Sequence, residues 1–205
     1  VYGTSSKQGK FTLQLILRNE FMKKGYKVGQ LGTEPEALLF GFDAVYPMGY
    51  NSSVQIAGND AVLYLNRVLH EIEMKKEIDI IITGSQSGTV PYSCNTLGNI
   101  TLPETEFLFG TLPDCVVLCI NRFDELGYIK RTINYIESSV DSKVLAVVVY
   151  PGGKRKNKLE GFYEKNYQSL EEYVNYMETT LELPVFVLSQ EMDRLCDVII
   201  DYLQE

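Results

Sequence analysis

The stretch VYGTSSKQGKFTLQL, Val1 to Leu15, decides how this chain folds. Two glycines, Gly3 and Gly9, bracket five residues, Lys10 follows at once, and an amphipathic run begins at Phe11. Anion binding asks for three things that this stretch holds together. Glycine lets backbone N–H groups approach an anion closely, a helix N-terminus adds partial positive charge, and a lysine neutralises phosphate oxygens. Gly3, Thr4, Ser5, Ser6, Gly9 and Lys10 therefore form the candidate phosphate cradle. The glycine interval is one residue longer than in the G-x4-G-K-[ST] loop. Phe11 stands where that loop has the hydroxyl that holds magnesium, and Thr12 follows one step later, about 100° further round a helix. Thr12 is the candidate metal- or phosphate-binding hydroxyl. An ordinary glycine-rich turn between strand and helix is the alternative reading.

Outward from the loop, helical and strand-like patterns alternate. Phe11 to Gly25 reads as a helix with Leu13, Ile16, Leu17 and Phe21 on one stripe, and Lys27 to Leu31 as a short strand. Asn59 or Asp60 caps a long helix whose Val62, Leu65, Leu69 and Ile72 share a face. Ile78 to Thr83, Val116 to Ile120 and Val144 to Tyr150 are continuous apolar, β-branched runs, as expected of strands buried on both faces. A helix over Ser169 to Thr180, a strand over Val185 to Leu188 and a last helix bearing Met192, Leu195, Cys196, Ile199 and Leu203 complete the series. This alternation predicts an α/β fold, a three-layer parallel sheet with helices on both faces, and the opening loop marks it as P-loop NTPase-like. One domain covers residues 1–205, and its opening reads as the end of a strand, so the domain is expected to be the C-terminal part of a longer protein. Tyr92 to Pro113 is long for a connection and is a candidate lid.

Ligands of such sheets sit at the carboxyl ends of strands. The third strand ends IIITGSQSGTVPY, Ile80 to Tyr92, and Thr83 stands where a catalytic P-loop enzyme has the acid for its magnesium-bound water. Gly84, Gln86 and Ser87 make a small polar loop facing the phosphate site. Glu34, after the second strand, is a candidate replacement magnesium ligand with Thr12; complementing a helix dipole is its equal alternative. Asn121-x-x-Asp124, after the fourth strand, resembles the guanine-recognising NKxD element with Arg122 for its lysine. Helix capping by Asn121 or Asp124 is the alternative there.

The net charge of −8 argues against a general nucleic-acid or anionic-membrane surface. No apolar run reaches the ~18 residues of a bilayer span, and no secretory signal is visible. The four cysteines form no CxxC pair; Cys115 and Cys119 lie in an apolar strand as buried thiols, which fits a reducing cytoplasm. A single histidine, His70, falls among charges at a surface position, so a histidine-rich zinc site is excluded. The basic run Lys154 to Lys158 is either a solvated loop or a site for an acidic partner or phosphate tail.

GTSSKQGKFT resembles the loop of dethiobiotin synthetase-like P-loop proteins. It is more similar still to the C-terminal domain of a family known as NAD-dependent epimerase/dehydratase-like, in which one apolar residue and then threonine follow the lysine. GYKVGQLGTEPEALLFGFDAV (Gly25 to Val45), DIIITGSQSGTVPYS (Asp79 to Ser93) and LPDCVVLCINR (Leu112 to Arg122) resemble its later segments, so the likeness runs over Val1 to Tyr150. The resemblance implies an N-terminal Rossmann-like domain upstream, and N-acyl transfer to D-amino acids from acetyl-coenzyme A in some members. FTLQLILRNEFMKKGYKVGQLGT further resembles clostridial peptide-maturation proteins encoded beside radical-SAM enzymes. Gly3, Thr4, Gly9, Lys10, Thr12, Gly84, Gln86 and Ser87 match the family, whereas Thr83 replaces its strand-end glutamate and Glu34-Pro35-Glu36 its Q-T-G. The expectation is a phosphate-bearing small molecule at the loop, either ATP or GTP with magnesium or coenzyme A, with catalysis left open. A non-catalytic scaffold for a peptide or partner protein, and a homo-oligomer, stand as further expectations.

Overall fold

The computed structural model describes residues 1–48, 52, 54, 56–92, 102–152 and 169–204. The strand β5, Cys115–Asn121, shows why the chain layers as it does. Val116, Leu118 and Ile120 point into one apolar cluster, and Val117 and Cys119 into the other. A strand alternates its side chains between faces, so an unbroken apolar run can be stable only with helices on both sides.

Seven strands are present among the described residues: β1 Tyr2–Gly3, β2 Val28–Gly32, β3 Ala44–Val45, β4 Ile80–Thr83, β5, β6 Lys143–Tyr150 and β7 Val185–Val187. Every pairing is parallel, in the orders β1-β5-β6-β7 and β3-β2-β4. Val1 joins the two groups: its amine donates to the Thr83 carbonyl at 2.6 Å, and its own carbonyl accepts from Ser85 N–H at 2.9 Å. β1 therefore lies between β4 and β5. On one face pack α1 (Lys10–Lys23) and α6 (Met192–Gln204), through Leu13, Leu17, Phe21, Leu195 and Ile199. On the other pack α2 (Asn59–Lys76), α3 (Leu102–Thr111), α4 (Leu126–Ser139) and α5 (Leu170–Leu181). The α/β layering and parallel sheet match the sequence expectation, with element ends displaced by one or two residues.

Three local expectations are corrected. Neither Asn59 nor Asp60 caps α2; Gly58 does, with a backbone conformation open to glycine and its N–H held by the Glu106 carboxylate at 2.7 Å. The candidate lid is not one long loop, because its residues 102–111 are α3, whose Phe107 and Leu108 are fully buried. Its residues 93–101 lie outside the described residues, as do Cys94 and the basic run Lys154 to Lys158. The two-residue strand β3 was not anticipated.

Candidate phosphate-binding site

The loop between β1 and α1 lies at the carboxyl end of the sheet. Lys7 and Gly9 take left-handed backbone conformations, at φ 61° and 76°. Gly9 is needed for space as well, since a Cβ there would meet Leu188 Cδ2 at 2.4 Å. Lys10 opens α1, and its ammonium turns back under the loop to donate to the carbonyls of Ser5 (2.8 Å) and Ser87 (3.1 Å). Only 5% of this residue is exposed. Burial pulls its pKa below the usual lysine value, against the opposing charges of Glu104 and Glu34.

Gln8, which no spacing in the sequence singles out, is the inner brace of the loop. Its Oε1 accepts from Ser5 N–H at 2.9 Å, while Nε2 donates to Thr4 Oγ1 at 2.5 Å and Asp124 Oδ2 at 3.0 Å. Thr4 donates its hydroxyl to the same Asp124 oxygen, which also accepts from Asn121 N–H at 2.8 Å. The structure thus gives Asp124 a bracing role. It does not cap a helix, because α4 begins after Glu125, and Asn121 Oδ1 instead accepts from Phe123 N–H at 3.2 Å. Asp124 Oδ2 is taken up by the loop and the Asn121 N–H. Tyr128, whose phenol is pushed far up by burial, places its hydroxyl 2.6 Å from the Thr4 carbonyl.

The loop after β4 forms the opposite wall. Thr33 Oγ1 donates to the Gly84 carbonyl at 3.0 Å. The Gln14 carboxamide lies against Gly84, its atoms within 2.4 Å of where a Cβ would stand. Glu104, 1% exposed on α3, reaches across to accept from the N–H groups of Gln86 (3.0 Å) and Ser87 (2.7 Å) and from Ser87 Oγ (3.0 Å). Ser87 thereby links an acid to the loop lysine. The sequence did carry a signal for Glu104: it shares a helical stripe with Phe107, Leu108 and Thr111, all buried. Gly88 presses on the Thr4 backbone, and the N–H and hydroxyl of Thr89 both donate to the Gly3 carbonyl, each at 3.0 Å.

Glu34 precedes the 3-10 helix Pro35–Phe40 and makes no capping hydrogen bond to it. Burial and Glu36 raise its pKa, whereas Lys10 and a hydrogen bond with Gln86 lower it. Glu34, Gln86 and Lys10 are therefore gathered together. Ser6 and Thr12 are exposed. Phe11 turns from the cradle to stack on Phe42 and meet Phe40 edge-on, both with ring centroids 5.4 Å apart. Among the described residues no group of three or more His, Cys, Asp or Glu side chains could hold a metal, and no helix is long and apolar enough to cross a membrane. Burial pushes the thiols of Cys115 and Cys119 up to about 11 and that of Cys196 to about 12, so none of the three is a ready nucleophile. His70 is exposed on α2, 3.7 Å from Glu73.

The family model for the P-loop domain of DUF1611, a domain of unknown function, matches residues 1–196. The chain belongs to this family. Its structure is similar to a DUF1611 protein of Anabaena variabilis, with a TM-score of 0.70 and 14% identity over 100% of this chain and 56% of the other. This DUF1611 domain thus spans just over half the length of that relative. It is also similar to a nucleotide-binding protein of Archaeoglobus fulgidus in complex with ADP (TM-score 0.57, 14% identity, 100% and 87% of the two chains). A third likeness is to cobyrinic acid a,c-diamide synthase of Mycobacterium smegmatis, with bound ADP and magnesium (TM-score 0.57, 11% identity, 99% and 93%). At these identities the likenesses show the fold, that of P-loop NTPases. The chain matches no curated protein.

Proposed function

We propose that this DUF1611 domain binds a nucleoside di- or triphosphate, accompanied by magnesium, at the Gly3–Lys10 loop. The observation that carries this reading is the Lys10 ammonium, buried at the head of α1 and held by the carbonyls of Ser5 and Ser87. Desolvating an ammonium is costly without a strong partner. A phosphate oxygen supplies one, and the start of α1 adds its dipole. The Archaeoglobus and Mycobacterium proteins, which hold ADP, support the choice of a nucleotide.

The residues present fit a hard cation. Glu34 offers a carboxylate within the electrostatic reach of Lys10, and the buried Gln86 Oε1 has no hydrogen-bond partner. Oxygen donors suit magnesium. Glu34 would hold it, and Thr12 would have to turn inward to join. Bound there, magnesium would neutralise phosphate charge. The chain's own contribution is to hold and orient: the Thr4–Gln8–Asp124 brace fixes the loop, and Lys10 contacts the phosphate. With Thr83 at the end of β4 no carboxylate from that strand positions a water, so the reading is of binding, with slow turnover or none.

Calorimetric titration with magnesium-ATP, magnesium-GTP, inorganic phosphate and acetyl-coenzyme A, on the wild type and on Lys10→Ala, tests it. Lysine-dependent binding of a nucleotide is the expected result. Absence of lysine-dependent binding by any of the phosphates overturns it, and binding of acetyl-coenzyme A alone replaces it with an acyltransferase role.

A further inference from the structure

Five buried side-chain oxygens lack a hydrogen-bond partner among the described residues: Gln14 Oε1, Ser85 Oγ, Gln86 Oε1, Glu104 Oε2 and Ser142 Oγ. The first four lie in the loop after β4 or directly against it, since Gln14 packs on Gly84 and Glu104 binds Gln86 and Ser87. A native fold leaves few such groups unpaired, and a concentration of them at one place calls for a ligand or a function.

Glu104 is the one among them that carries a formal charge. Its Oε1 accepts three hydrogen bonds, whereas Oε2 accepts none in a residue that is 1% exposed. A brace for the loop would need only the first oxygen. Two hydrogen bonds lead from that carboxylate to the phosphate-binding lysine: Glu104 accepts from Ser87 N–H at 2.7 Å, and the Ser87 carbonyl accepts from Lys10 at 3.1 Å. β4, the strand beside β1, ends in Thr83 with no carboxylate of its own.

We propose that Glu104, reaching in from α3, is the carboxylate that answers for the missing strand-end acid, and that its Oε2 together with Glu34 receives the divalent cation of the bound nucleotide. This rests on the nucleotide reading given above. The neighbouring unpaired atoms, two amide oxygens and a hydroxyl, are neutral oxygen donors of the kind that complete such a shell directly or through water. Because Oε1 of the same carboxylate fixes the Gln86 and Ser87 N–H groups, arrival of the cation and the setting of that loop involve one side chain.

The test compares ADP affinity in EDTA and in Mn2+ for the wild type, Glu104→Gln and Glu104→Asp, with Mn2+ followed by electron paramagnetic resonance and folding by circular dichroism. Glu104→Gln keeps an oxygen for the loop N–H groups and removes the charge. The expected result is a wild type that binds ADP at least tenfold more tightly with Mn2+. Glu104→Gln then loses that gain, its own affinities in Mn2+ and in EDTA differing by less than about twofold. Retention of the full gain by Glu104→Gln overturns the proposal and leaves the phosphate site standing, as does a wild type that binds ADP equally in EDTA and Mn2+. A wild type that binds no ADP in either condition overturns both readings. If Glu104→Gln fails to fold, Glu104→Asp decides: its shorter carboxylate must reduce the Mn2+ gain, and an unchanged gain overturns the proposal.

Discussion

Thr4 and Asp124, 120 residues apart in the chain, are joined by a hydrogen bond from the threonine hydroxyl to Oδ2 of the aspartate. That single oxygen also gathers Gln8 and the Asn121 N–H, so one carboxylate ties the phosphate loop to the end of β5. Charge-assisted hydrogen bonds of this sort are about twice as strong as neutral ones. Asp124→Ala strands three donors at once and is expected to cost about 2–4 kcal/mol of stability. Ligand binding at Lys10 should weaken with it. Urea denaturation monitored beside a nucleotide titration checks both, and unchanged stability would contradict the brace.

Lys10→Met separates function from folding. The ammonium is nearly fully buried, so an apolar chain of similar length should leave stability unchanged or raise it by about 1 kcal/mol. The same change removes the cation proposed to meet phosphate and should weaken nucleotide binding by about 1.5–3 kcal/mol. Thermal melts and calorimetry on one preparation would show the opposed signs.

The lowered pKa of Lys10 fixes a pH dependence. The folded chain disfavours the charged form relative to the unfolded chain, so this penalty is fully present below the folded pKa. It is relieved as pH rises from that value toward the ordinary 10.5. Phosphate favours the charged form, so affinity should fall across the same window, with proton uptake on binding. Calorimetry in two buffers of different ionisation enthalpy measures that uptake, and Lys10→Met should abolish it.

Two glycines should respond in opposite directions to alanine. A Cβ on Gly88 would stand 2.5 Å from the Thr4 carbonyl oxygen, a backbone atom that cannot swing aside. Gly88→Ala is expected to cost about 1–3 kcal/mol and to disturb the loop. Gly127 sits in the first turn of α4 with nothing within 4 Å of its added carbon. Gly127→Ala should stabilise by about 0.5–1 kcal/mol. Denaturation midpoints of the two variants test the contrast.

The layered architecture was legible because its signals are local. The apolar run of β5 and the glycine-lysine stretch before α1 each state their environment within a few residues. α3 was hidden by Leu102-Pro103, which reads as loop, although proline is well tolerated in the first turn of a helix. Gln8 carries no spacing signal, and the helical stripe that Glu104 shares with Phe107, Leu108 and Thr111 marks it as inward-facing without naming its partners. Their roles depend on partners at Asp124 and at Gln86 and Ser87, which only the folded sheet brings near. Asn121 and Asp124 fit a helix-capping pattern, and it was the nearness of Thr4 that directed Asp124 elsewhere.

The stacking of Phe11 on Phe42 has a mechanical meaning. Arg18, about two turns further along α1, also clasps the carbonyls of Phe40 and Gly41, each at 3.0 Å. The segment that begins with Glu34 is therefore bolted to the same helix that begins with Lys10. Any motion of that helix carries acid and ammonium together, and their separation is set by aromatic carpentry rather than by the pull between their charges.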